Sequence, residues 1–180
     1  MLDKNVILEG RSIRLRPVEL SDVGERYCAW MNDLEVNRHM ETRFRRQTLD
    51  DIRQYVEKMR AAGDTLFWAM VDQASGRHVG NIKLGPISEI HRRGELSFFI
   101  GEKDFWGRGL ATEAVALVTD YALASLGLMK VTAGCYSNNA GSRHIFEKLG
   151  YTLAATFRAH YLCEGRMVDR LCFEKFGSAP

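Results

Sequence analysis

The stretch DFWGRGLATEA, residues 104–114, sets Gly107 and Gly109 on either side of Arg108 and opens into an alanine-rich amphipathic run. Just before it, ELSFFIG (residues 95–101) reads as a strand. A strand, a glycine turn and a helix start aim main-chain N–H groups at an anion, and the helix adds roughly half a unit of positive charge. Two phosphate-binding patterns do not fit. The dinucleotide fingerprint needs a third glycine and an acidic residue about 20 positions on, whereas here Gly109 is followed by Ala111 and Thr112. A P-loop needs Gly-Lys-Ser/Thr, which is absent. Glu95, in the strand leading to the turn, is the first candidate for a general base, acting directly or through water. Its alternative is a surface carboxylate paired with Arg92 or Arg93. His91 and His160 are secondary candidates.

The bulk composition narrows the partners. The chain has 180 residues, enough for one domain (1–180, core about 12–176) with a real core and short for two. Its formal net charge of +2 gives no footprint for coating a polyanion. The basic runs RFRR (43–46) and HRR (91–93) are short and read as solvated loops, so no nucleic-acid partner is expected. No run approaches the roughly 20 apolar residues of a membrane span, and MLDKNVILEGRSIRLR lacks the apolar core of a signal peptide. Cys28, Cys135, Cys163 and Cys172 are scattered without C-x-x-C spacing, implying neither a metal site nor a disulfide framework. The expectation is a cytoplasmic protein with free thiols and no metal.

The elements that must position the glycine turn follow from periodicity. SIRLRPV (12–18) alternates as a half-buried strand. VGERYCAWMNDL then buries Val23, Tyr27, Trp30 and Met31 at helical spacing. Thr48 caps a helix over LDDIRQYVEKMR, with Asp50 and Asp51 in its first turn and Gly63 closing it. Three strands follow, over residues 65–72, 77–87 and 93–101. A long helix runs from about Leu110 to Leu126 and stops at Gly127. LMKVTAGCY (128–136) is a strand, SNNAGSRHIFEKLG a helix capped by Asn138 or Asn139 and ended by Gly150, and the last two strands turn at Cys163-Glu164-Gly165. The order is β-α-α-β-β-β-α-β-α-β-β. Short-looped strands pair antiparallel, and the strand–helix–strand unit forces one parallel crossover, so a mixed α/β sheet results.

W-G-R-G-L-A, then Asn139-x-x-Ser142, then F-E-K-L-G-Y (146–151), together resemble the GNAT superfamily of acetyl-CoA-dependent N-acetyltransferases, and within it the ribosomal-protein-alanine acetyltransferase-like branch. The resemblance runs from Ile13 to about Phe176. It implies a central, mostly antiparallel seven-stranded sheet with one splayed parallel pair and about four helices. It implies acetyl-CoA as cosubstrate and an amine acceptor: a protein N-terminus, an amino-sugar nucleotide or a small molecule. A homodimer is left open. In that family the turn follows Gln/Arg-x-x-Gly-x-Gly/Ala; Gly109 and Ala111 match its last fixed positions, and Trp106 replaces the usual Gln/Arg. The amides of Gly107, Arg108, Gly109, Leu110, Ala111 and Thr112 are expected to hold the pyrophosphate, and main chain near Phe99 and Ile100 to pair with pantetheine like an added strand.

The chemistry needs an unprotonated amine. Near pH 7 a lysine-like amine (pKa about 10.4) is neutral in roughly one molecule in a few thousand, but an α-amine (about 7.8) in roughly one in seven. Acceptors with lowered pKa therefore need only modest base help. Asn139 is expected to order the thiol end of the cofactor or simply to cap its helix. Many family members place a thiol-protonating tyrosine seven residues after this asparagine; here that position is Phe146. Ser142, one turn earlier on the same face, is the substitute donor, with hydrogen bonding to its own backbone as the alternative. Acceptor contacts are expected from Trp30, Asn32, Glu41, Arg43, Asn81, Lys83, His160 and Tyr161.

Overall fold

A computed structural model of the chain describes residues 2–177; Met1 and residues 178–180 of the expected 1–180 unit lie outside the described residues. The strands are β1 (Leu8–Glu9), β2 (Ile13–Pro17), β3 (Leu66–Asp72), β4 (His78–Ser88), β5 (Arg93–Ile100), β6 (Lys130–Tyr136), β7 (Thr152–Cys163) and β8 (Arg166–Phe176). They form one sheet in the order β1-β2-β3-β4-β5-β6-β8-β7. All neighbours are antiparallel except β5 and β6. The expected seven strands are thus joined by an eighth, β1, whose two residues are too few to show a period.

The helices are α1 (Glu25–Asn32), α2 (Leu34–Asn37), α3 (Leu49–Ala61), α4 (Leu110–Asp120) and α5 (Ala140–Lys148). The early amphipathic run is split: Asp33, extended and accepting from the Glu35 amide, ends α1 and caps the short α2. Thr48 and Asp51 form a reciprocal capping box on α3. That helix stops at Ala62 in extended geometry, so Gly63 is not its left-handed terminator. The α4 helix continues through one π-turn, Tyr121–Ser125, before Gly127 turns left-handed at φ 63°.

Two apolar layers sandwich the sheet. On one face α4 buries Leu110, Ala114, Val115 and Val118 against Trp68, Met70, Ile82, Leu84 and Leu96. On the other, Tyr27, Trp30 and Met31 of α1 and Ile52 and Val56 of α3 cover Val18 and Ala69. Each large side chain so enclosed contributes about 1.5–3 kcal/mol. This anchoring fixes α4 along β5 and so fixes where its N-terminus points.

Candidate active site

The parallel pair β5/β6 comes apart. Its register runs from Arg93↔Lys130 to Leu96↔Ala133 and goes no further. Beyond that point β5 stays with β4 as far as Gly80↔Ile100, while β6 stays with β8 as far as Tyr136↔Arg170. Residues 97–100 therefore face a gap in which no strand takes up their second side. A segment entering that gap could pair with exposed main chain.

The glycine turn lies at the open end. A 3-10 turn, Lys103–Phe105, leads to Gly107 and Gly109, both left-handed at φ 72° and 81°, and Gly109 caps α4 without any side-chain bond. Among the described residues, none of the amides of 107–112 donates to a protein acceptor. A Cβ built on either glycine would meet nothing within 4 Å. Leu110 points into the core, leaving only its amide outward. Free donors, a clear approach and the helix dipole suit a pyrophosphate. Trp106, at the position that departs from the family pattern, donates its indole N–H to the Ile100 carbonyl at 3.0 Å. That carbonyl is therefore already engaged, which narrows the expected pantetheine pairing at Ile100. Arg108 lies over the Phe105 ring at 4.7 Å and is otherwise exposed.

A cavity of about 480 Å³ passes through the splay. Cys135, Asn139, Ser142 and Phe146 line its α5 side; Tyr27, Tyr55, Phe67, Asn81, Lys83 and Phe99 line the α1/α3 side. Asn139 caps α5, accepting from the Ser142 amide at 3.1 Å, whereas Asn138 turns to the Cys163 sulfur. Among the described residues, the Ser142 hydroxyl makes no hydrogen bond, so it is not turned back on its own helix. Of the expected acceptor residues, Glu41, Asn81, Lys83 and Tyr161 line this cavity.

Other expected residues are placed elsewhere. Trp30 is buried beneath Gly101, where a Cβ would approach the indole to 2.1 Å, and its N–H donates to Glu102 at 3.1 Å. It is a packing residue. Asn32 is a loop staple, donating to the carbonyls of Cys28 and Gln47 and accepting from the Gln47 amide. His160 is exposed at the β7 bulge, edge-on to Tyr161, and does not line the cavity. Glu95 is half-exposed and also outside the cavity; its partner is Arg170 at 3.5 Å, not Arg92 or Arg93. Arg170 reaches it from β8 by crossing β6 at Gly134, where a Cβ would stand 3.2 Å from the Arg170 Nε. A glycine inside a strand marks such a close approach, and it was the available signal.

Sequence reasoning named Glu41, Arg43 and Tyr161 separately and missed their assembly around Tyr136. Its hydroxyl donates to Glu41 and accepts from Arg43 at 2.7 Å, and its ring stacks on Tyr161 at 4.1 Å. Arg43 also donates to the carbonyls of Met40 and Leu162, so it organises the cavity wall and is spoken for within the protein. Burial, helped by Glu41, pushes the Tyr136 hydroxyl up to about 12. His39 lines the cavity 5.4 Å from the Tyr136 ring, with a buried Nε2 that has no partner among the described residues. Burial, then Arg38 and Arg43, lower its pKa.

Comparison with known proteins agrees with this architecture. The GNAT acetyltransferase domain matches residues 12–152, and the chain belongs to that family. It is an N-acetyltransferase. It is 31% identical over 158 residues to a probable N-acetyltransferase, YjcK, of Bacillus subtilis, covering 81% of this chain and 83% of the relative. It is 31% identical over 104 residues to the spermidine N(1)-acetyltransferase of Escherichia coli, a match spanning 57% of this chain and only 55% of that enzyme. Among solved structures, RimL, a ribosomal-protein α-N-acetyltransferase in complex with coenzyme A, superposes with a TM-score of 0.83 at 13% identity, over 97% of this chain and all of that one (100%). Among the described residues, no helix is long and apolar enough to cross a membrane.

Proposed function

We propose that the chain acts as one domain that moves an acetyl group from acetyl-CoA to a primary amine by direct attack in a ternary complex. The observation that carries this is the cavity through the splay, because it joins Asn139 and Ser142 on the cofactor side to Asn81 and Lys83 on the acceptor side. The free amides of 107–112 would hold the pyrophosphate, with Arg108 adding screened charge, and main chain at Phe99 and Ile100 would line the pantetheine.

The amine nitrogen bonds to the acetyl carbonyl carbon, and the carbon–sulfur bond breaks. A main-chain N–H of the Phe99 strand steadies the oxyanion. Ser142, whose hydroxyl is uncommitted, relays a proton to the departing thiolate directly or through an ordered water and takes one back from the water that receives the nitrogen's proton. The nitrogen's proton leaves through water, which is also the route open to Glu95, since its charge is held by Arg170 outside the cavity. Asn139 contributes by fixing the first turn of α5 and so the Ser142 position. Acceptors with a lowered amine pKa suit a site with so little direct base help.

A protein α-amine, the acceptor of the ribosomal-protein branch, is one of the amines to be tried; RimL and RimJ of Mycobacterium smegmatis, at 13% and 18% identity, share the fold. The test incubates the protein with acetyl-CoA and a panel of amines, following thiol release and acetylated product by mass spectrometry. Release of thiol in step with an acetylamine supports the reading. Tight coenzyme A binding with no acetylated amine across the panel counts against it and favours a non-catalytic acyl-CoA-binding module.

A further inference from the structure

The acceptor side of the cavity holds one ion pair and two charges of opposite sign outside it. Arg45 is neutralised by Asp51 at 2.9 Å, and Asp51 is held further by the amide and hydroxyl of Thr48. Glu41 accepts from the neutral Tyr136 hydroxyl, which leaves its charge in place, and among the described residues it forms no ion pair. Lys83 is its cationic counterpart. It lies on β4 between Phe67 and Ser97, lines the cavity, and among the described residues forms no ion pair. Two positions away on the same face, Asn81 is only 1% exposed. Its amide nitrogen donates to the Trp68 carbonyl at 3.3 Å, while its Oδ1 is buried and among the described residues has no donor, in a side chain that borders the same cavity. A buried carbonyl oxygen is costly to leave unpaired, so a ligand N–H there is strongly favoured.

We propose that the acceptor is a small zwitterion: a primary amine carrying a carboxylate or phosphate, with its N–H on Asn81 Oδ1 and its anion on Lys83. The inference rests on the acetyl-transfer reading above and names its substrate class. Strand residues two apart are separated by about 6.6 Å, which sets the scale between amine and anion before the long lysine side chain flexes. Asn81 pairs across the sheet with Phe99, so the amine sits one strand from residues 97–100 at the splay.

The test measures kcat/KM for acetylation of matched pairs: phenylalanine against phenethylamine, and glucosamine 6-phosphate against glucosamine. The anionic member of at least one pair is expected to win by about tenfold or more, as a close charge pair in a partly desolvated site allows. Which pair responds tells carboxylate from phosphate. K83M should bring that ratio to within about threefold, mainly by raising KM for the anionic member, and K83R should restore part of it. Coenzyme A affinity, measured by calorimetry on each variant, reports that the fold is intact. A wild-type preference for the uncharged members or for spermidine overturns the proposal, as does a ratio that K83M leaves unchanged. Acetylation without anion preference defeats this inference alone. No acetylation of any amine, with coenzyme A still bound, defeats the transfer reading beneath it.

Discussion

Replacing Gly109 by alanine tests the phosphate cradle with little change in bulk. Gly109 holds φ 81° and ψ −2°, and a Cβ there touches nothing within 4 Å, so the substitution is opposed by backbone strain and not by a clash within the protein. An L-residue in this region costs about 1–2 kcal/mol. The turn is exposed and its amides are unbonded, so the free variant can relax to negative φ and turn the amides of 107–112 out of convergence. Binding must then restore the left-handed turn. Coenzyme A affinity should fall by up to the full strain, about 5- to 30-fold, and valine at the same site should lose more than about tenfold. The assay is isothermal titration with coenzyme A, paired with thermal denaturation. Gly63→Ala is the control, because Gly63 is not left-handed and has open space around it. Wild-type affinity in Gly109→Ala would refute the cradle, and so would an equal loss in the Gly63 control.

Ser142→Ala should cut kcat by about ten- to a thousandfold while coenzyme A affinity changes little, since the thiol is a tolerable leaving group without help; full turnover would remove Ser142 from the mechanism and make Tyr136 the next residue to test. Gly134→Ala pushes a methyl against the Arg170 guanidinium and should break the Glu95 pair, so its effects on turnover and stability should not add to those of Glu95→Gln. Additive effects in that double-mutant cycle would show that the two act separately. Burial alone would raise the Asp22 carboxyl, but hydrogen bonds from Arg16 and the Glu19 amide, together with His78, outweigh it and hold the pKa below its ordinary value. Its stabilisation is therefore complete above about pH 4 and lost as pH falls through the depressed value, and Asp22→Asn should flatten that acid limb in denaturant titrations.

Features legible in the sequence are those that local chemistry decides. The Thr48 cap, the buried stripe of Val23, Tyr27, Trp30 and Met31, and the left-handed stops at Gly127 and Gly150 all depend on neighbours within a turn or two. So does the strand–turn–helix of the cradle. What could not be read depends on strands meeting from far apart. Glu95 and Arg170 come together only because β8 docks beside β6, and nothing near Glu95 distinguishes Arg170 from Arg92 or Arg93 as its partner. Trp30 was legible as buried but not as sealed under Gly101, which removes it from the acceptor wall. Tyr136 and His39 enter the site because the loop between α2 and α3 folds over the end of β6, and loop paths have no period to read.

The splay also divides the labour of recognition between two kinds of atom. On the cofactor side the expected grip is made by peptide groups, at residues 97–100 and 107–112, which every amino acid carries. Such a grip tolerates wholesale replacement of side chains provided the strand separation and the glycine angles persist. It can therefore outlast nearly all resemblance in sequence, as a TM-score of 0.83 at 13% identity illustrates for the fold. The side proposed for the acceptor is lined by side chains, Asn81, Lys83, Glu41 and Tyr161, each removable by a single codon change. Under the proposed assignment, one half of the site is inherited as shape and the other as spelling, so a descendant could exchange its amine in a few mutational steps while keeping its acyl donor.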